Sequence, residues 1–188
     1  TSLRRMPEAD MKIKEKGAAG FRESYKEYTE KGQVEMGSRT VGLIGLGAIG
    51  HEAAKLLQPF ECKMYYYDVI RQEDFEKEYG VEYATLDEIY EKCDIISYHV
   101  PVLDSTRGMI NKEAIDKMKK DAIIVNVARG DLMNNADVAD ALNEGKIYVA
   151  MDVIAPEPPK DDDPLFSLNE TGLARFSITP VSYTHLTL

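Results

Sequence analysis

The chain has 188 residues, 44% hydrophobic and 30% charged, with a formal net charge of −10 at pH 7. That length and balance predict one globular domain, or one with an appendage, and exclude a disordered chain. The acidic charge argues against nucleic acid or an anionic membrane as partner, no apolar run reaches the ~20 residues of a bilayer span, and two cysteines, Cys62 and Cys93, without a C-x-x-C fit a reducing cytoplasm.

Residues 1–38 are polar and charge-rich and read as an arm or linker. Phe21, Tyr25 and Tyr28 recur at i, i+4 and i+7, which predicts a helix with one aromatic face. The texture changes at Arg39. Thr40–Leu46 is an apolar run with a β-branched start, as expected of a buried parallel strand. Beyond it, Ile49, Ala53, Leu56 and Leu57 share one helical face. A strand is predicted over Lys63–Tyr67 and a charged helix over Arg71–Tyr79, closed by Gly80. Thr85–Cys93 reads as a helix with Thr85 as N-cap and Glu88 completing a capping box. Strands follow at Asp94–Tyr98, Ala122–Val127, Ile147–Met151 and Phe176–Ile178, with helices at Lys112–Lys119 and Ala136–Asn143. Strands alternating with helices over 39–180 predict an α/β fold, a doubly wound parallel sheet of Rossmann type, behind an N-terminal helical arm. Residues 181–188 form an atypical tail.

Gly45-Leu-Gly47-Ala-Ile-Gly50 fits G-x-G-x-x-G between a strand and an amphipathic helix. Gly45 allows the tight turn, Gly47 lets a pyrophosphate approach the backbone, and Gly50 lets the helix pack on the sheet. The N–H groups around Ala48 and Ile49 face the anion at a helix N-terminus. Asp68 lies 18 residues past Gly50, at the distance of a carboxylate that binds ribose hydroxyls and repels a 2′-phosphate. NAD is therefore expected rather than NADP. The competing role for Asp68 is a strand-end or capping carboxylate. Arg71, three residues on, is either a modifier of that preference or a solvated cation.

The ordered stretches Thr40–Gly50, His99-Val-Pro101, Thr106–Asn111, Val125-Asn-Val-Ala-Arg-Gly130 and Met151-Asp-Val-Ile-Ala-Pro-Glu-Pro158 resemble the NAD-dependent D-2-hydroxyacid dehydrogenase family, which includes phosphoglycerate and D-lactate dehydrogenases. The resemblance implies hydride transfer between NAD and a small 2-hydroxy or 2-oxo acid. It implies that Arg129 grips the substrate carboxylate and carbonyl oxygen, as a planar cation would. It implies that Glu157 pairs with the catalytic histidine and raises its pKa. Asp152 would orient the nicotinamide carboxamide. Val100, Pro101 and Thr106 would line the adenosine half, and Val127 and Ala128 would border the nicotinamide. Taken singly, Arg129 is also an ordinary loop cation, Glu157 a solvated loop acid, Asp152 a strand-end cap and His99 a structural strand-end residue.

Two departures from the family pattern stand out. The family's histidine follows a Thr-Pro pair, whereas Thr179-Pro180 is followed here by Val181. The stretch Val181–Leu188 is expected to be foreign to the domain, and His185 to be a poor substitute donor. The substrate domain that precedes this region in the family is expected to be missing, so the chain alone should be inactive. The resemblance also implies a homodimer formed partly through the arm. The alternative is an NAD-sensing binding module of the C-terminal-binding-protein corepressor type.

Overall fold

The apolar runs of the sequence become seven parallel strands of one sheet in the computed structural model, which describes residues 6–31 and 35–180. The strands are β1 (Thr40–Ile44), β2 (Lys63–Tyr67), β3 (Val81–Tyr83), β4 (Ile95–Tyr98), β5 (Ala122–Asn126), β6 (Ile147–Met151) and β7 (Phe176–Ile178). The helices are α1 (Met6–Lys16), α2 (Ala18–Lys31), α3 (Ala48–Leu57), α4 (Glu73–Tyr79), α5 (Leu86–Lys92), α6 (Lys112–Lys117), α7 (Asn135–Asn143) and α8 (Glu170–Arg175). Sheet order is β3-β2-β1-β4-β5-β6-β7. β1 therefore has β2 on one side, with Val41 opposite Met64, and β4 on the other, with Val41 opposite Ile95. The chain direction across the sheet reverses between β1 and β4, and such a switch point opens a crevice at the carboxyl ends of the strands.

Strand residues alternate between two cores, as a sheet covered on both faces requires. Along β4, Ile95 joins Val41, Leu43, Met64, Tyr66 and Ala54, while Ile96 and Tyr98 join Ile44, Ile89, Ile124, Leu142 and Val149. The predicted face of α3 needs correction. Ile49 and Leu56 are 66% and 72% exposed, and the residues buried against the sheet are Gly50 and Ala54. The helix approaches through its smallest residues, and its large apolar side chains flank the contact. The strand β3 and the helices α1 and α8 were not expected; β3 has only three residues and α8 only six.

Helix ends follow local chemistry. Thr85 caps α5 by accepting from the Glu88 N–H, and the Glu88 carboxylate accepts from the Thr85 N–H at 2.9 Å, so the capping box is complete. Gly80 ends α4 with φ +65°. Asn111, Asn134 and Asn169 cap α6, α7 and α8. Asp94 ties the start of the sheet together: its carboxylate accepts from the Thr40 N–H at 2.8 Å and from Lys119 Nζ at 3.0 Å.

The arm is a helical hairpin. Gly17 turns between α1 and α2 with φ +56°, and a Cβ on Gly20 would lie 2.0 Å from the Lys12 carbonyl, so the two helices meet backbone to backbone there. Lys12 bridges them, bonding Glu8 at 3.0 Å and Glu27 at 2.7 Å. Phe21 and Tyr25 stack with centroids 6.3 Å apart on the exposed side of α2, as the aromatic spacing predicts. The tail 181–188, with His185, lies outside the described residues.

The capping box sets a stability prediction. Thr85→Ala should cost about 1 kcal/mol in urea unfolding at pH 7. Lys92 and the Thr85 N–H and hydroxyl hold the Glu88 carboxyl down at about 2. A group depressed in the folded state stabilises above its unfolded pKa. The destabilisation by Glu88→Gln should therefore be full at pH 7 and shrink as pH falls below about 4.5 towards 2. A pH-independent difference between Glu88→Gln and the parent chain would contradict this assignment.

Candidate functional site

The glycine loop leaves β1 at the switch point. Gly45 has φ +96°, and a Cβ there would meet the His99 carbonyl and Val100 Cγ1 at 2.8 Å. Only glycine suits both the dihedral and the space. A Cβ on Gly50 would lie 2.2 Å from the Gly45 carbonyl oxygen, so α3 is drawn against the loop at backbone distance. Gly47 differs: a Cβ there would find no atom within 4 Å. Among the described residues nothing requires glycine at this position.

The N-terminus of α3 has Gly47 as N-cap and no side-chain cap, whereas α5 to α8 all carry one. The first N–H groups of α3, around the exposed Ala48 and Ile49, are left to an outside acceptor. Open space at Gly47 and uncapped donors beside it fit the pyrophosphate of NAD.

Asp68 stands just past β2. Its carboxylate accepts from the Leu46 N–H at 2.7 Å and from the Ile70 N–H at 3.3 Å. It thus ties the carboxyl end of β2 to the glycine loop while remaining half-exposed at the crevice. Strand-end clamp and sugar acceptor are compatible, because a carboxylate has about four lone-pair sites. Gln72 adds a second tie that the sequence did not reveal, donating from Nε2 to the Leu46 carbonyl at 2.8 Å and pairing through Oε1 with His51 Nε2 at 2.7 Å.

Beyond β4, Val100 is half-buried and Pro101 exposed. The Thr106 hydroxyl donates to the Pro101 carbonyl at 2.7 Å and accepts from the Leu103 N–H at 2.8 Å, which shapes this loop. His99 sits at the strand end, its Nε2 2.9 Å from Ser97 Oγ, and burial lowers its pKa.

The loops after β5 and β6 form the other wall. Asn126 is fully buried, donating to the Arg129 carbonyl at 2.9 Å and accepting from the Ala128 N–H at 3.2 Å. This amide fixes the turn that carries Val127, Ala128 and Arg129, a role that spacing alone did not disclose. A Cβ on Gly130 would lie 2.1 Å from the Ile154 carbonyl carbon, so the Arg129 turn packs directly on the chain leading to Glu157. Asp152, buried at the end of β6, accepts from the Thr179 hydroxyl, and its own N–H bonds the Asn126 carbonyl at 3.1 Å. Buried Asp163 braces the same segment by accepting from Asn135 Nδ2 at 2.7 Å.

Arg129 and Glu157 share one cleft of about 710 Å³, whose lining also includes Arg107, Asp131 and Lys160. Arg107 is paired with Asp131, whereas the Arg129 guanidinium donates to the Ala128 carbonyl at 2.7 Å and is exposed. The structure thus gathers the predicted residues in two groups. Gly45, Gly47, Ala48, Ile49, Gly50 and Asp68 lie at or against the glycine loop, and Arg129 and Glu157 line the cleft, which Asp152 does not. Among the described residues, no His, Cys, Asp and Glu cluster could hold a metal, and no helix is long and apolar enough to cross a membrane.

Residues 1–180 match the family model described as D-isomer specific 2-hydroxyacid dehydrogenase, NAD binding domain. A glyoxylate reductase of Korarchaeum cryptofilum is 44% identical over 137 residues, which is 72% of this chain and 41% of that protein. A hydroxypyruvate reductase of Blautia hydrogenotrophica is 40% identical over 148 residues, 78% of this chain and 44% of that protein. The chain thus spans under half the length of these relatives. The structure superposes with a TM-score of 0.81 on D-lactate dehydrogenase from Aquifex aeolicus, solved with NAD and lactic acid; it is 28% identical, covering 100% of this chain and 57% of that one. Matched along its glycine loop, its sheet order and its whole described length, the chain belongs to the D-isomer-specific 2-hydroxyacid dehydrogenases and carries their NAD-binding domain.

Proposed function

We propose that this chain is the cofactor half of an enzyme that transfers a hydride between NAD and a small 2-hydroxy or 2-oxo acid. The observation that carries this reading is the cleft that Arg129 and Glu157 share, in a sheet whose glycine loop leads into an uncapped helix. Bound NADH supplies the hydride. Gly45, Gly47 and Gly50 with the N–H groups of Ala48 and Ile49 hold the pyrophosphate. Asp68 accepts from the adenosine ribose, with Val100, Pro101 and Thr106 along the adenine side. Val127, Ala128 and Asp152 flank and orient the nicotinamide. Arg129 leaves the Ala128 carbonyl to grip the substrate carboxylate, and its charge stabilises alkoxide character on the substrate oxygen. Glu157 supports a proton-donating histidine from outside the described residues. Glyoxylate and hydroxypyruvate, named for the two relatives, are the leading substrate class, and a phosphoglycerate dehydrogenase-like substrate is a larger member of it.

The domain plan we infer is an arm over 1–38, an NAD-binding unit over 39–180 and a separate tail over 181–188. A cytoplasmic setting is supported by two buried free thiols, Cys62 and Cys93; burial pushes the Cys93 thiol up to about 12, which keeps it protonated and inert. A homodimer is supported by the exposed aromatic stripe of the arm.

Gly47→Val tests the cofactor site. The new side chain meets no protein atom at its Cβ, so unfolding free energy should stay within about 1 kcal/mol, while NADH affinity by isothermal titration falls at least about tenfold. Unchanged NADH binding would refute the site. The chain alone should show no steady oxidation of NADH with glyoxylate or hydroxypyruvate, because Val181 stands where the family's histidine is expected. In a version joined to a substrate domain and that histidine, Arg129→Ala should lower kcat/KM about 100-fold; full activity of that variant would exclude Arg129 from the chemistry. Sedimentation should give a dimer, and Phe21→Glu with Tyr25→Glu a monomer. A monomer in the parent chain would refute the arm interface.

A further inference from the structure

Arg71 lies three residues past Asp68 in the loop that follows β2, and its guanidinium is held on two sides. Its Nε and one terminal nitrogen donate to the two carboxylate oxygens of Glu76, each at 2.9 Å. Its Cζ lies 5.7 Å from the centre of the Tyr83 ring. Such a fork-on-fork pair fixes direction as well as charge.

Glu76 is itself held in place. The Tyr66 hydroxyl donates to it at 2.7 Å while accepting from the Gln72 N–H at 2.7 Å. Tyr66 is a fully buried side chain of β2, and burial raises its phenol pKa to about 12, so it remains a donor. Arg71 and the Tyr66 hydroxyl hold the Glu76 carboxyl below the usual carboxylate range. Phe75, next to Glu76 on α4, stacks on His51 of α3 at 4.2 Å, which sets α4 against the glycine-loop helix. The Glu76 side chain is only 15% exposed, against 57% for Arg71. The carboxylate is the fixed partner and the arginine the one it restrains.

We propose that Glu76 is a positioning residue for cofactor choice, which locks Arg71 away from the ribose site and so denies it to the 2′-phosphate of NADP. The loop carries the cation that a phosphate would need. What withholds it is a carboxylate anchored to a core tyrosine rather than Asp68 alone. The inference rests on the placement of Asp68 at the ribose. It predicts that losing Asp68 removes repulsion without supplying a phosphate ligand, and that freeing Arg71 supplies the ligand.

The test is isothermal titration of the full chain with NADH and with NADPH. Asp68→Ala should weaken NADH and leave NADPH poorly bound. Adding Glu76→Gln should tighten NADPH by about tenfold over Asp68→Ala alone, the value of a charge-assisted bond to phosphate. Gln retains an acceptor for Tyr66 but loses the charge that holds the guanidinium. Adding Arg71→Ala to the double variant should cancel that gain, which a structural role for Glu76 would not predict. Should Glu76→Gln lower the melting temperature, Glu76→Asp keeps the charge but is too short to span the fork, and the same gain is expected. If neither Glu76 variant tightens NADPH in the Asp68→Ala background, or if the gain survives Arg71→Ala, the clamp is wrong while the ribose site stands. If Asp68→Ala leaves NADH binding unchanged, the ribose placement is wrong and the inference falls with it.

Discussion

The parallel pairing of β1 with β4 governs the rest of the molecule. With β2 on its other side, β1 becomes the central strand, and the chain must build outwards from it in both directions. Consecutive strand ends then diverge at its carboxyl end, where the loop after β1 turns one way and the loop after β4 the other. The contact between Gly45 and the His99 carbonyl is the seam of that divergence. The Gly45 backbone lies against the His99 carbonyl and the Val100 side chain there, with no room for a Cβ between them.

The same device recurs farther along the sheet. Gly50 brings α3 onto the glycine loop, and Gly130 brings the Arg129 turn onto the segment leading to Glu157. At both places the functional groups sit next to a backbone contact that tolerates no Cβ. Polar side chains then set direction: Asp68 holds the Leu46 N–H and Gln72 the Leu46 carbonyl, and Asn126 holds the Arg129 turn. Close packing sets distance and buried hydrogen bonds set orientation, which is how a loop gains the precision of a strand.

The alternation of strands with helices, the glycine loop and the α5 capping box were legible because each depends on residues close in sequence. Thr85 and Glu88 are three apart, and Gly45 to Gly50 spans a single turn. What was not legible depends on long-range or irregular geometry. Gln72 reaches a carbonyl 26 positions earlier. Asn126 bonds its neighbours only because the chain turns back on itself after β5. The buried face of α3 was misread because periodicity weighs large apolar residues, whereas close helix–sheet approach selects Gly50 and Ala54. The short β3 and α8 carry too few residues to establish a period. Arg71 was visible as a cation near the ribose acid, but its restraint by Glu76 spans five positions across the start of α4, a separation that no helical pairing rule covers.

The buried Asn126 amide has a consequence for the energetics of ligand capture. Because it secures the Arg129 carbonyl, the backbone of that turn is already ordered, and the proposed role would require only the guanidinium arm to move. That arm rests on the Ala128 carbonyl, a neutral acceptor at the surface, so leaving it forfeits a bond of about 1 kcal/mol. A carboxylate offers a bidentate ionic contact in exchange. If Arg129 takes the anion as proposed, a turn already fixed by Asn126 would let it do so by a change of rotamer rather than by a loop rearrangement.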